Sequence, residues 1–311
     1  MSPVPVAFLF PGQLSEYTGM GRDFFESDPD ARDLFARTSH RCKRDLERIL
    51  FSGSPEELHE NLAAQAGVYL VSTLACRELS RRGVVAHATA GYSLGNYAAF
   101  VAAGAISYEE GLDVLIAVWR ESERLGIAGA MGAVIGARRD AVEEICGGLR
   151  ARGLPVWIGN VNASTQFVLT GSREAVRAAL EELAPRALSV LPLTMSWPIH
   201  SELMEPVERA VAPGIAALTS VRDPEVPFYT PQGGVARKGE EIRRLLGTEF
   251  VHPTFWNATF ESLIRDGFRT LLEVGPGEML GRMSRWIDRS VTVYPAGTIE
   301  AIARVADILR E

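Results

Sequence analysis

The chain is poor in the features that mark secreted, membrane-spanning or nucleic-acid-binding proteins. Its 311 residues hold three cysteines, Cys42, Cys76 and Cys146. They are an odd number, too widely spaced for a local metal clip, and each lies in helix-like apolar text. They read as reduced core cysteines. The longest apolar run, residues 97–106, is far short of the roughly 20 residues of a membrane span. No basic segment precedes the first apolar run, which stops at Pro11-Gly12, so no secretory signal is expected. Positive charge is also scarce: 32 Lys+Arg against 39 Asp+Glu give a formal net charge of −7. Binding to a phosphate backbone needs a basic face, so nucleic acid is not an expected partner. These absences point to a soluble, cytoplasmic protein. The rest is ordinary globular text, 47% hydrophobic and 23% charged, long enough for one large domain or two smaller ones.

No tandem repeat or low-complexity segment interrupts it. Residues 4–10 read as a short buried strand ending in the turn Pro11-Gly12-Gln13. Amphipathic helical text covers 23–37 and 42–51, and Ser54-Pro55-Glu56-Glu57 reads as a helix start with a serine cap, proline at the first position and acids in the first turn. A largely apolar helix is expected over 65–81, a strand over 84–92 and a small-residue helix over 94–103. Strand, sharp turn and helix form the local frame of an α/β protein with a parallel sheet. From Gly129 the text changes to strand 131–135, helix 139–152, strands 156–161 and 167–170, helix 172–183 and strand 187–193. This βαββαβ order is the ferredoxin-like arrangement. It reads as an insertion, because α/β text resumes after His200 with a strand over 270–274 and a helix over 278–288. The expected division is a large domain of residues 1–127 and 199–311 with a small domain of 128–198, and a substrate cleft between them.

Gly91-Tyr92-Ser93-Leu94-Gly95 matches G-x-S-x-G between an expected strand and an expected helix. Such a strained turn needs small residues on both sides so that the serine Oγ stands clear at a helix N-terminus. The amide of the next residue, Leu94, is then aimed at a developing oxyanion. Serine is a weak nucleophile and needs a base. Of the five histidines, His40 and His59 lie in charged helical text and read as solvated, and His87 lies in a strand run as a packed core residue. His200 follows the last strand of the insertion, at a domain crossing, and is the favoured base. His252, before Pro253, is the second candidate, with packing in a loop as its plainer role.

Seven short pieces in order then carry a resemblance: Phe10-Pro11-Gly12-Gln13, Gly91 to Gly95, Gly129-Ala130-Met131, Asn160-Val161-Asn162 with Gln166, Ile199-His200-Ser201 with Leu203-Met204, Pro253 with Trp256, and Glu273-Val274-Gly275-Pro276-Gly277. Over nearly its whole length the chain resembles the malonyl-CoA:acyl-carrier-protein acyltransferase family, which includes the acyltransferases of fatty acid and polyketide synthases. The resemblance implies an α/β-hydrolase-like large domain with the inserted ferredoxin-like one. It implies ping-pong transfer from a coenzyme A or carrier-protein thioester through a Ser93 ester to the phosphopantetheine thiol of an acyl carrier protein, with His200 as base and Gln13 and Leu94 amides as the oxyanion hole. Asn162 and Gln166 fall where the family lines its cleft. No metal or bound organic cofactor is implied.

The departures bear on substrate. Family members that load malonyl place an arginine on the second helix after the nucleophile, and ungapped counting from Ser93 puts Val118 there. Arg120, two residues on, sits about 200° around a helix and faces away. A malonyl carboxylate would lack a bidentate partner, which points to an acyl donor without that carboxylate. Tyr92, Asn96, Leu14 and Glu249 also depart from the family residues, the last standing where a glutamine is usual. Trp197-Pro198-Ile199 occupies the stretch that tracks acyl choice in polyketide acyltransferases, with Trp197 either narrowing the pocket or capping it from outside. Arg282, Arg285 and Arg289 recur at i, i+3 and i+7 and would share one helix face, as a docking patch for an acidic carrier protein or as a solvated face; Arg243-Arg244 is a second such candidate. The expected activity is a free-standing acyltransferase. A hydrolase of the same fold, a silent carrier-binding subunit and an unrelated α/β-hydrolase esterase are the alternatives, the last disfavoured by the insertion and by Phe-Pro-Gly-Gln.

Overall fold

The computed structural model describes residues 5–310. Its first strand, β1 (Val6–Phe10), is apolar and buried throughout; Val4, where the expected strand begins, lies outside the described residues. The helical text resolves into α1 (Arg22–Ser27) and α2 (Pro29–Cys42), split at Asp28. Asp28 is extended and its side chain accepts the Asp30 amide, so it starts a new helix with Pro29 at the first position. α3 (Leu46–Ser52), α4 (Pro55–Leu58) and the long α5 (Asn61–Arg81) follow. α4 opens on the expected cap, completed as a reciprocal capping box between Ser54 and Glu57.

The strand expected over 84–92 contracts to β2 (Ala88–Gly91). Val85 is exposed, and His87 is half-buried ahead of the strand rather than in the core, its Nδ1 accepting the Val6 amide at 3.1 Å. α6 (Gly95–Ala102) and α7 (Tyr108–Arg124) come next. β3 (Ala130–Ile135), α8 (Arg139–Ala151), β4 (Val156–Ala163), β5 (Gln166–Gly171), α9 (Arg173–Leu183) and β6 (Ser189–Pro192) then run in the expected βαββαβ order. α10 (Glu205–Ala216), β7 (Phe228–Tyr229), β8 (Val235–Ala236), α11 (Gly239–Thr248), β9 (Thr254–Phe255), α12 (Trp256–Arg265), β10 (Thr270–Glu273), α13 (Met279–Ser284), β11 (Thr292–Pro295) and α14 (Ile299–Ile308) complete the chain.

Two sheets organise these elements. The first has the order β11-β10-β1-β2-β7-β8 and is parallel except for β8. Alternation along β1 sends Val6, Phe8 and Phe10 into one core and Ala7 and Leu9 into another, as a parallel sheet covered on both faces requires. The second sheet has the order β6-β3-β5-β4-β9. Its first four strands are antiparallel neighbours in the ferredoxin-like arrangement, and α8 and α9 cover one face through their own apolar cluster. The sequence did not foreshadow β9, which adds to β4 in parallel and ties the later α/β segment to this sheet. The uncovered face of the second sheet turns Met131, Asn160 and Val168 toward the C-terminal ends of β1 and β2, where ligands of open α/β sheets bind.

Candidate active site

Ser93 sits on the turn between β2 and α6 with φ +53°. A left-handed L-residue costs about 1–2 kcal/mol, and the packing around this turn leaves no room to relax. A side chain on Gly91 would put its Cβ 2.2 Å from the Asn96 amide, and one on Gly95 would lie 2.0 Å from the Phe10 carbonyl oxygen. Both glycines of the motif are therefore steric necessities, and the serine Oγ projects over the N-terminus of α6.

His200 meets it across the molecule, Nε2 standing 2.8 Å from Ser93 Oγ. The histidine is 1% exposed, has φ +65°, and is held by main chain alone. Its amide donates to Phe250 O at 2.7 Å, and Nδ1 lies 3.0 Å from Glu249 O and 2.9 Å from His252 O. Two carbonyls at Nδ1 require a proton there, which leaves Nε2 as the lone-pair nitrogen facing the serine. Burial drives the imidazole pKa down to about 4 against the opposing pull of the His252 and Glu249 carbonyls, so the ring is neutral at physiological pH. His252, the alternative base, contributes its carbonyl and not its ring.

The turn after β1 completes the reacting end. The amides of Gln13 and Leu94 donate to no other group among the described residues, and both residues line the same cavity as Ser93 and His200. Leu14 has φ +74°. Three of the four non-glycine residues with positive φ among the described residues, Leu14, Ser93 and His200, thus line one cavity; the fourth, Lys43, caps α2. Backbone strain concentrated in this way is characteristic of a functional site.

Beyond the serine the cavity is walled by apolar side chains, including Leu115, Val118, Met131, Val168, Leu193 and Ile199. Val118 lines it and Arg120 is exposed on α7, as their spacing implied. Among the described residues no lysine or arginine lines the cavity. Its polar members include Gln65, Asn160 and Glu249. Glu249 is buried and faces Asn96, whose Nδ2 donates to Glu249 Oε2; burial raises its pKa to about 8, so it is largely neutral at pH 7. Asn96 Oδ1 has no hydrogen-bond partner among the described residues.

Several expected positions lie elsewhere. Asn162 and Gln166 do not line the cavity; Asn162 Oδ1 accepts the Tyr92 hydroxyl at 2.9 Å, tying the serine turn to β4, and Gln166 begins β5. Asn160 takes the lining role, because register shifts between Ile158 and Asn160 and between Val161 and Ala163 reset which residues of β4 point inward. Trp197 is 2% exposed within the large core and does not line the cavity, so it neither narrows the pocket nor caps it from outside. The helix expected over 278–288 stops at Ser284 as the chain turns into β11, so Arg282, Arg285 and Arg289 do not share a helix face. They are nevertheless exposed along one surface groove with Trp286. His59 is not merely solvated: its Nδ1 lies 2.8 Å from the buried Glu16 carboxylate. Leu115, Leu193, Met195 and Gln65 carried no sequence signal beyond ordinary apolar or helical text.

Cys42, Cys76 and Cys146 are unpaired, and burial raises their thiols to about 12, 12 and 11. Among the described residues no group of three or more His, Cys, Asp or Glu is placed to hold a metal ion, and no helix is long and apolar enough to cross a membrane.

Residues 7–286 match the acyl transferase domain family. The malonyl CoA-acyl carrier protein transacylase of Bacillus subtilis (strain 168) is 30% identical over 314 residues, covering 98% of this chain and 98% of its own. The solved malonyl CoA-acyl carrier protein transacylase of Coxiella burnetii superposes with a TM-score of 0.92 at 29% identity, covering 99% of each chain. A malonyl-transacylase solved in complex with its type II polyketide synthase acyl-carrier protein has a TM-score of 0.91 at 27% identity, covering 98% of this chain and 99% of its own.

Proposed function

The chain belongs to the acyl transferase domain family, and from that premise we propose that it carries an acyl group from a thioester donor, through an ester on Ser93, to the phosphopantetheine thiol of an acyl carrier protein. The observation that carries this reading is the 2.8 Å contact between Ser93 Oγ and the lone-pair nitrogen of a histidine fixed by carbonyls. As Oγ bonds to the thioester carbon, Nε2 takes the hydroxyl proton. The negative oxygen that forms faces the free amides of Gln13 and Leu94; a donor of this kind is worth about 2.7–4 kcal/mol in the transition state. Collapse breaks the C–S bond, and His200 returns the proton to the departing sulfur. In the second half the carrier's thiol gives its proton to Nε2, its sulfur attacks the ester carbon, and the C–O bond to Ser93 breaks as Oγ regains a proton. The dyad needs no acid residue, because carbonyls do the orienting. The steps draw only on this chain and on the thiols of its substrates.

The far end of the cavity bears on the acyl group. Relatives are named for malonyl, but here Val118 lines the wall, Arg120 is outside, and the one carboxylic acid among the described lining residues, Glu249, is largely neutral at pH 7. An ionised carboxylate placed there would be desolvated without a cation. The favoured donor is an uncharged acyl thioester. For the acceptor, the complex of a relative with its carrier protein supports a carrier partner. The groove of Arg282, Arg285, Arg289 and Trp286 gives this acidic chain a local cluster of positive charge for an acidic carrier.

The test follows all three species by mass spectrometry after mixing enzyme, acyl thioester and holo carrier protein. Acyl-carrier product should outpace free acid and depend on a transient Ser93 ester. Free acid appearing faster would make the protein a hydrolase, and a chain that forms no ester under any donor would be a silent carrier-binding subunit.

A further inference from the structure

The turn that presents Gln13 is held by a pair that no motif marks. Glu16 has a side chain with 0% exposure, yet it carries a carboxylate. One oxygen, Oε2, accepts the Leu14 amide at 2.7 Å, and the other, Oε1, lies 2.8 Å from His59 Nδ1. His59 is the residue that ends α4, and its side chain is 35% exposed. The same turn is closed by Ser15 Oγ donating to Gly12 O at 2.7 Å. The Gln13 side chain reaches Asn61 Oδ1 and Gln65 Nε2, each at 3.3 Å. The oxyanion turn is therefore stitched to the α4–α5 junction at two levels, and only Glu16 grips its backbone through a charge-assisted bond.

Planar peptide units make this grip directional. With the Leu14 N–H bound to Glu16, the peptide between Gln13 and Leu14 is fixed in orientation. The preceding amide, that of Gln13, donates to no group among the described residues, in a residue that lines the cavity with Ser93. The Leu14 side chain is placed on the cavity wall in the same movement. Leu14 pays for neither result by itself, because a leucine does not favour φ +74°.

We infer that Glu16, anchored by His59, is a positioning residue that holds Leu14 in the left-handed conformation and so aims the Gln13 amide at the reacting carbonyl. This rests on the reading of Gln13 as an oxyanion donor to the Ser93 ester chemistry. Its energetic logic is separable, however: a glycine at position 14 would adopt the same backbone unaided, so the contribution of Glu16 should vanish with the leucine.

The experiment compares wild type, Glu16→Ala, Glu16→Gln, Leu14→Gly and the Leu14→Gly/Glu16→Ala double variant. It reads the Ser93 acylation rate by rapid quench and intact mass, and the exchange rate of the residue-14 amide by hydrogen exchange. Glu16→Ala should slow acylation at saturating donor by roughly 10- to 100-fold, at or below the usual cost of removing an oxyanion donor. Half-saturation should move by less than about threefold, and the residue-14 amide should lose protection. Glu16→Gln, whose carboxamide oxygen still accepts the Leu14 N–H, should restore both to within about threefold. In the Leu14→Gly background the same Glu16→Ala change should cost less than about threefold, a coupling that a purely structural role would not produce. Equal losses in both backgrounds, or full amide protection in Glu16→Ala, would overturn the inference. Lost protection with an unchanged acylation rate would locate the failure in the oxyanion reading of Gln13, and absence of any Ser93 ester in wild type would locate it in the proposed function itself.

Discussion

The two ends of the cavity are built on different principles. At the reacting end the groups are main-chain atoms or are fixed by them: His200 by the carbonyls of Glu249, Phe250 and His252, Ser93 by a turn with no space for a Cβ at Gly91 or Gly95, and the Gln13 and Leu94 amides by the left-handed neighbours Leu14 and Ser93. At the acyl end the groups are side chains contributed by separate elements: Val118 from α7, Met131 from β3, Val168 from β5 and Glu249 from the end of α11. Main-chain geometry tolerates few sequences, whereas a side-chain wall can be rebuilt one residue at a time. That difference would let one fold keep its reaction while the wall of the cavity is rebuilt, as the proposed uncharged donor requires.

The comparison is sharpest at His200. His200→Ala should slow Ser93 acylation by about 10³-fold or more, since a positioned base contributes roughly 10²–10⁴-fold and the rotor it leaves behind is unrestrained. In wild type, the ring stays neutral above its lowered pKa of about 4. The acylation rate should therefore be flat from neutrality down to that region and fall about tenfold per unit below it. A rate that already halves near pH 6.5 would show that the imidazole is not desolvated as described.

A smaller effect is expected from Glu249, which serves both ends: its carbonyl clamps His200 while its carboxyl faces the acyl space. Because the carboxyl is raised to about 8 by burial, with the Asn96 hydrogen bond opposing, folding favours its protonated form. The stability this group allows is full below the unfolded pKa of about 4.5 and is lost as pH rises toward 8. Glu249→Gln, permanently neutral, should match wild type in thermal midpoint near pH 4 and exceed it by a margin that widens up to about pH 8. Acylation at neutral pH should change by less than about threefold, because the carbonyl that holds His200 is unaltered.

What the sequence disclosed follows the same division. The strand–turn–helix around Ser93, the serine cap of α4 and the βαββαβ order were legible because each is a local pattern enforced by backbone sterics or capping. His200 could be favoured from its place at the domain crossing, but its three carbonyl partners could not, since carbonyls carry no residue signature. Asn162 was the natural choice on β4 until the register shifts handed the inward position to Asn160. The arginine helix failed because the demand of β11 to pair with β10 ended α13 at Ser284, a tertiary override of helical text. His59 reads as solvated and Glu16 belongs to no motif, and only the folded chain brings them together.

Among the described residues no lysine or arginine lines the cavity, and such a wall should select against a charged acyl group. A competition decides this: malonyl-CoA and butyryl-CoA are offered together, at equal concentration, to wild type, Val118→Arg and Ser93→Ala, and the intact proteins are weighed after a brief exposure. Wild type should carry butyryl in excess of malonyl, Val118→Arg should shift that ratio toward malonyl by about 10-fold or more, as one buried carboxylate partner warrants, and Ser93→Ala should carry neither. Malonyl in excess on wild-type Ser93, with Val118→Arg leaving the ratio unmoved, would show that the cavity accepts a charged acyl group without a cation at position 118.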